Sequence, residues 1–191
     1  MRLFVALDLP EEVRQSFRDL IAALKRDCPG VRWVRPEGIH VTLKFIGITD
    51  DKNLEAICTA LSFIASDAPV EMRFQGLGFF PNERQPRVVW CGVEASANLA
   101  TLATAVGRSL EPGGVPPESR PFVPHLTLAR VEPGKISTAE VQKLSQAARA
   151  IGVKVFGSIR ETKFYLFESI LEPGGAQYRR LREFPFVKGS A

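Results

Sequence analysis

The spacing of apolar and polar positions changes period several times along the chain, and each change marks an element. Residues Arg2 to Leu9 hold a short continuous apolar run stopped by Pro10, the pattern of a buried strand. From Glu11 to Lys25 the apolar residues Val13, Phe17, Leu20, Ile21 and Leu24 recur at helical spacing and predict an amphipathic helix. Pro10 suits the start of that helix, and Glu11 and Glu12 face the positive end of its dipole. Pro29-Gly30 ends the unit. Strands are expected over Val31 to Val34 and His40 to Ile46, joined through the turn Arg35-Pro36-Glu37-Gly38. A second helix is expected over Asn53 to Ala65, then strands near Val70 to Phe74 and Arg87 to Val93. Asn98 to Leu110 returns to helical spacing and is ended by the Pro- and Gly-rich segment from Glu111 to Pro117. A strand from His125 to Val131 follows, then a fourth helix over Thr138 to Ala150 with Ser137 or Thr138 as its cap. Strands at Val153 to Ile159, Lys163 to Phe167 and Gln177 to Phe186 complete the chain.

Strands interspersed with helices, many joined by hairpin-length turns, predict an α+β fold with largely antiparallel sheet. Each of two strands that begin with histidine is expected in a half of the chain with its own helices. Composition adds boundaries to this picture. The 191 residues suffice for one large domain, and 45% hydrophobic with 24% charged residues excludes long disorder. A formal charge of +4 permits a polyanionic partner without requiring one. Cys28, Cys58 and Cys91 are odd in number and lie outside any CxxC pattern, so neither a disulfide framework nor a structural metal site is expected. No apolar run reaches the roughly 18–20 residues of a membrane span, and an acid at Asp8 interrupts what would be a signal peptide. A cytoplasmic protein with reduced thiols is the expectation.

The candidate chemistry rests on the only two histidines, which stand in near-identical tetrapeptides, HVTL from His40 and HLTL from His125. Alternation on a strand places His40 with Thr42, and His125 with Thr127, on one face, leaving the apolar residues between them to anchor the strand in a core. Two such strands side by side would present two imidazoles and two hydroxyls to one cleft. That set matches what phosphodiester cleavage requires. One group takes a proton from the attacking oxygen, another gives one to the leaving oxygen, and imidazole suits both roles near neutral pH. Threonine hydroxyls can donate to the non-bridging phosphate oxygens. The competing readings are satisfied strand histidines beside ordinary β-forming threonines, and a shared metal site. Two histidines far apart in the chain, with Glu37 the one acid or thiol at short spacing from either, are too few for the latter, so no metal and no cofactor is expected.

Paired HxTx motifs in such a chain resemble the 2H phosphoesterase superfamily, and within it the RNA 2′,3′-cyclic phosphodiesterases, also called 2′-5′ RNA ligases. The likeness runs through RLFVALDLP at 2–10, WVRPE at 33–37, HVTLKFIG at 40–47, PRVVW at 86–90, RPFVPHLTLAR at 120–130, LFES at 166–169 and GAQY at 175–178. It implies a single bilobal domain over residues 1–191: two pseudo-symmetric lobes of mainly antiparallel sheet, helices outside, and a central cleft with one HxTx per lobe. It implies hydrolysis of a terminal 2′,3′-cyclic phosphate on RNA to a 2′-phosphate, with reversible 2′-5′ RNA ligation as a further activity in vitro. His40 would be the proton donor to the leaving 3′-oxygen and His125 the base that activates water, although the local sequence is symmetric. No KxDG motif of an ATP-driven ligase is present. The partner is then an RNA end, with no protein partner implied and a monomer by default. The alternatives are an RNA-end binding module with little turnover, and a 2H phosphoesterase for a small cyclic phosphate or a 2′-5′ oligonucleotide.

Four further features have two readings each. Arg130 is out of phase with His125 on a regular strand, so it contacts phosphate only if the strand is twisted or bulged; otherwise it makes a surface pair. Lys44 is in phase with His40 and Thr42 and would reach phosphate or stand exposed. Phe4 would stack on a base or pack in the core. Arg179, Arg180 and Arg182 would attract RNA or form a solvated face.

Overall fold

A computed structural model of the chain describes residues 1–172 and 175–186. Its strands are β1 (Arg2–Leu7), β2 (Arg32–Trp33), β3 (Val41–Ile48), β4 (Val70–Phe80), β5 (Val88–Ala95), β6 (His125–Arg130), β7 (Val155–Glu161), β8 (Lys163–Glu172) and β9 (Gly175–Pro185). The helices are α1 (Glu11–Asp27), α2 (Leu54–Ser62), α3 (Asn98–Leu110) and α4 (Thr138–Ile151). These elements lie where the hydrophobic periods predict them, although β4 continues past the expected Phe74 to Phe80 and β8 past Phe167 to Glu172. Ser137 caps α4, accepting from the Glu140 amide while the Glu140 carboxylate accepts from the Ser137 amide.

All strands join one antiparallel sheet in the order β7-β4-β5-β6-β3-β1-β8-β9, with β2 also on β6. Four strands lie on each side of the β6–β3 junction, so the two lobes meet at the two histidine strands. The lobes are not the two halves of the chain, contrary to expectation. β4 to β7 are contiguous in sequence, whereas the other lobe combines β1 and β3 with the C-terminal hairpin β8–β9. The helices are exchanged too: α1 packs on β7 and α3 packs on β3.

The apolar stripe of α1 drives its docking, because Phe17 is fully buried against Phe74 of β4 and Phe156 of β7 at ring distances of 6.2 and 5.4 Å. Burying a side chain of this kind stabilises the fold by roughly 1.5–3 kcal/mol. Alternation then divides β1 between two cores: Leu3, Val5 and Leu7 enter the main core, while Phe4 and Ala6 join Tyr165 and Phe167 on the opposite face. That opposite face carries the histidines. Among the described residues no helix is long and apolar enough to cross a membrane.

Candidate active site at the junction of the lobes

Val41 of β3 pairs with Leu126 of β6 in antiparallel register. One step to either side sets His40 across from Thr127 and Thr42 across from His125, so the two tetrapeptides are related by a local twofold. Val41 and Leu126 are fully buried, as alternation requires. Both imidazoles are held the same way. Nδ1–H of His40 donates to the Gly38 carbonyl at 2.8 Å, and that of His125 to the Val123 carbonyl at 2.9 Å. A carbonyl only accepts, so Nδ1 carries the proton in each and Nε2 is left for chemistry.

The two strands also share an irregularity. In β3, Ala6 faces Thr42 and Val5 faces Lys44, so Leu43 is an extra residue. In β6, Trp90 faces Thr127 and Val89 faces Ala129, so Leu128 is extra. Each bulge inverts the alternation after the threonine. The inversion corrects the expectation for Lys44, which turns away from the cleft and is buried at 3% exposure. Its Nζ donates to the Pro116 carbonyl at 2.7 Å and to Glu118 at 2.9 Å, tying down the segment that leads to His125. The same inversion returns Arg130 to the cleft face. Phe45 occupies the matching position after His40 and is 62% exposed.

A groove of about 340 Å³ collects Phe4, His40, Thr42, Phe45, Thr127, Arg130 and Tyr178. Phe4 is not a platform open to a base, because it is only 3% exposed. One face carries the His40 ring at 4.6 Å, Phe167 stacks at 5.2 Å, and Tyr178 meets its edge at 5.1 Å. Tyr178 also stands perpendicular to His40 at 5.0 Å. Burial in this aromatic surround pushes the His40 pKa down to about 4, against smaller upward contributions from the Gly38 carbonyl and Asp8. His125 rests edge-on against Phe80 at 5.2 Å, and Phe80 in turn lies against Trp90.

Sequence reasoning assigned no role to Tyr178, Phe167, Phe45 or Arg14. GAQY was legible as a motif, but nothing local says that β9 returns to the first lobe. The C-terminal arginines are engaged in ion pairs: Arg179 with Glu168 at 2.6 Å, Arg182 with Glu55 at 3.0 Å, and Arg180 with Asp8. They belong to the surface of the fold rather than to a free basic patch. Among the described residues no cluster of three or more His, Cys, Asp or Glu side chains is placed to hold a metal ion.

Residues 7–90 and 92–178 match the family described as LigT-like phosphoesterase. A protein of Archaeoglobus fulgidus named RNA 2′,3′-cyclic phosphodiesterase is 35% identical over 184 residues, covering 96% of this chain and 99% of that one. A protein of the same name from Thermotoga maritima is 31% identical, covering 99% and 97%. A crystal structure of TT0787 of Thermus thermophilus superposes with a TM-score of 0.77 at 30% identity over the whole of both chains. Escherichia coli LigT complexed with 3′-AMP does so with a TM-score of 0.74 at 25% identity, covering 98% of each chain.

Proposed function

The chain belongs to the LigT-like phosphoesterase family, and from that premise we propose that it hydrolyses the 2′,3′-cyclic phosphate at the 3′ end of RNA to a 2′-phosphate. The observation that carries this reading is the register of β3 on β6, with two identically held imidazoles each across from a threonine. Water attacks phosphorus and gives a proton to Nε2 of His125. The P–O3′ bond breaks, and the 3′-oxygen takes a proton from Nε2 of His40. Thr42, Thr127 and Arg130 hold the non-bridging oxygens, where charge is concentrated in the transition state. Phe45 offers the terminal base an exposed ring. A 5′-hydroxyl in place of water forms a 2′-5′ linkage by the same transfers. RNA ends are the partner, and the protein acts as a cytoplasmic monomer without a metal or cofactor; its three buried free thiols suit a reducing compartment.

His40 is neutral near pH 7 in the free protein, since its pKa is about 4. A phosphodiester anion beside the ring favours the protonated form, so His40 takes up its proton with the substrate. The low pKa favours one second reading, in which the roles are exchanged and His40 is the base.

The test is an oligoribonucleotide ending in a 2′,3′-cyclic phosphate, incubated with EDTA present. The expected product is the 2′-phosphate, with turnover at least about 10²-fold lower for His40→Ala or His125→Ala. A 3′-phosphate product, dependence on metal, or near-normal variants would refute the proposal. Binding without turnover in the parent would replace hydrolysis by an end-binding role.

A further inference from the structure

The loop before His40 is held by one side chain that lies outside the groove. Arg14 projects from the first turns of α1 and is 9% exposed. Its Nε donates to the Leu9 carbonyl at 3.0 Å, and Nη1 to the carbonyls of Pro36, Glu37 and Ile39 at 2.9, 2.9 and 3.3 Å. Nη2 pairs with Asp8, whose other oxygen pairs with Arg180. Arg180 in turn lies over the Tyr165 ring at 3.9 Å. Of the four consecutive carbonyls from Pro36 to Ile39, three turn to the guanidinium. The fourth, that of Gly38, turns the other way and accepts from His40 Nδ1 at 2.8 Å.

That division has a chemical consequence. In the tight turn Pro36–Gly38, successive carbonyls cannot rotate independently. Fixing the neighbours on both sides of Gly38 fixes its own carbonyl. That carbonyl selects the tautomer of His40 and the direction of Nε2. We propose that Arg14 is a positioning residue for the proton transfer at His40, acting through the Gly38 carbonyl. The proposal rests on the functional reading above for its kinetic consequence, and on geometry alone for its structural one. Lysine can replace arginine here only in part, because a single ammonium has three donors at one point whereas the guanidinium spreads five over a plane. The loop before His125 is held differently: the buried cation nearest in role, Lys44, binds Pro116 and Glu118 with its ammonium.

The experiment is ¹⁵N NMR of the imidazoles, with kinetics on the cyclic-phosphate oligonucleotide, in the parent, Arg14→Met and Arg14→Lys. Two histidines give two spin systems, and His125 serves as the internal control. The expected result for Arg14→Met is a mixed-tautomer His40 with His125 unchanged, kcat lower by about 10- to 100-fold and KM within about twofold. Arg14→Lys is expected to fall between this variant and the parent, and it reads the same quantities if Arg14→Met does not fold. A folded variant with the parent tautomer and kcat overturns the proposal. So does failure of both variants to fold, which would assign Arg14 to stability alone. An inactive parent would remove the functional reading while leaving the tautomer comparison to stand or fall by itself.

Discussion

Acid should destabilise this protein through His40 specifically, and the size of the effect follows from its surroundings. Packed on Phe4 with Tyr178 edge-on, the ring is held neutral and its pKa is pushed down from 6.5 to about 4. The unfolded chain therefore binds a proton on His40 at a higher pH than the folded chain does. The stability associated with the neutral ring is complete above about pH 6.5 and is lost as the pH falls towards 4. At pH 4.5 the unfolded state is almost fully protonated and the folded state only partly, a difference of about 2–3 kcal/mol. Urea unfolding of the parent and of His40→Gln at pH 7.5 and pH 4.5 isolates this contribution, because carboxylates titrate in both proteins and cancel in the comparison. The parent should lose about 2–3 kcal/mol more than the variant between the two pH values. Equal losses, within about 0.5 kcal/mol, would refute the aromatic enclosure as the cause. The same measurement bears on the reaction, since a ring that is neutral in the free protein must take up a proton from solvent as substrate binds in order to act as a donor.

A cyclic phosphate with sulfur in place of the 3′-oxygen separates the two histidine roles, because a thiolate leaves without protonation. His40→Ala should recover most of its rate on that substrate while His125→Ala stays slow; the opposite pattern would exchange the acid and the base. Lys44→Met should leave KM for the cyclic phosphate within about twofold and cost about 1–3 kcal/mol in urea unfolding, whereas a tenfold rise in KM would restore Lys44 to the phosphate site. Gly78→Ala should lower Tm by several degrees: a Cβ there would overlap the Trp90 indole, and overpacking of this kind costs about 1–3 kcal/mol. An unchanged Tm would show that the indole moves aside freely.

Local patterns carried most of what could be read before folding. Helical spacing in Val13, Phe17, Ile21 and Leu24 needs only neighbours along the chain, and α1 formed where it was expected. Alternation placed His40 with Thr42 and His125 with Thr127 for the same reason, since a strand's period is set by the backbone. The paired motif was visible because it used every histidine in the chain. Other features depend on what lies across the sheet, and these only the tertiary structure decided. A bulge is a mismatch between two strands, so nothing in HVTLKF or HLTLAR announces that Lys44 will leave the cleft and Arg130 will enter it. The partnership of β1 and β3 with β8 and β9 is a long-range pairing, and it brings Phe167 and Tyr178 around Phe4. Phe4 thereby became the floor under His40 rather than a free face for a base. The sequence by itself determined which residues could transfer a proton; packing from distant strands decided where each points and how readily His40 holds its proton.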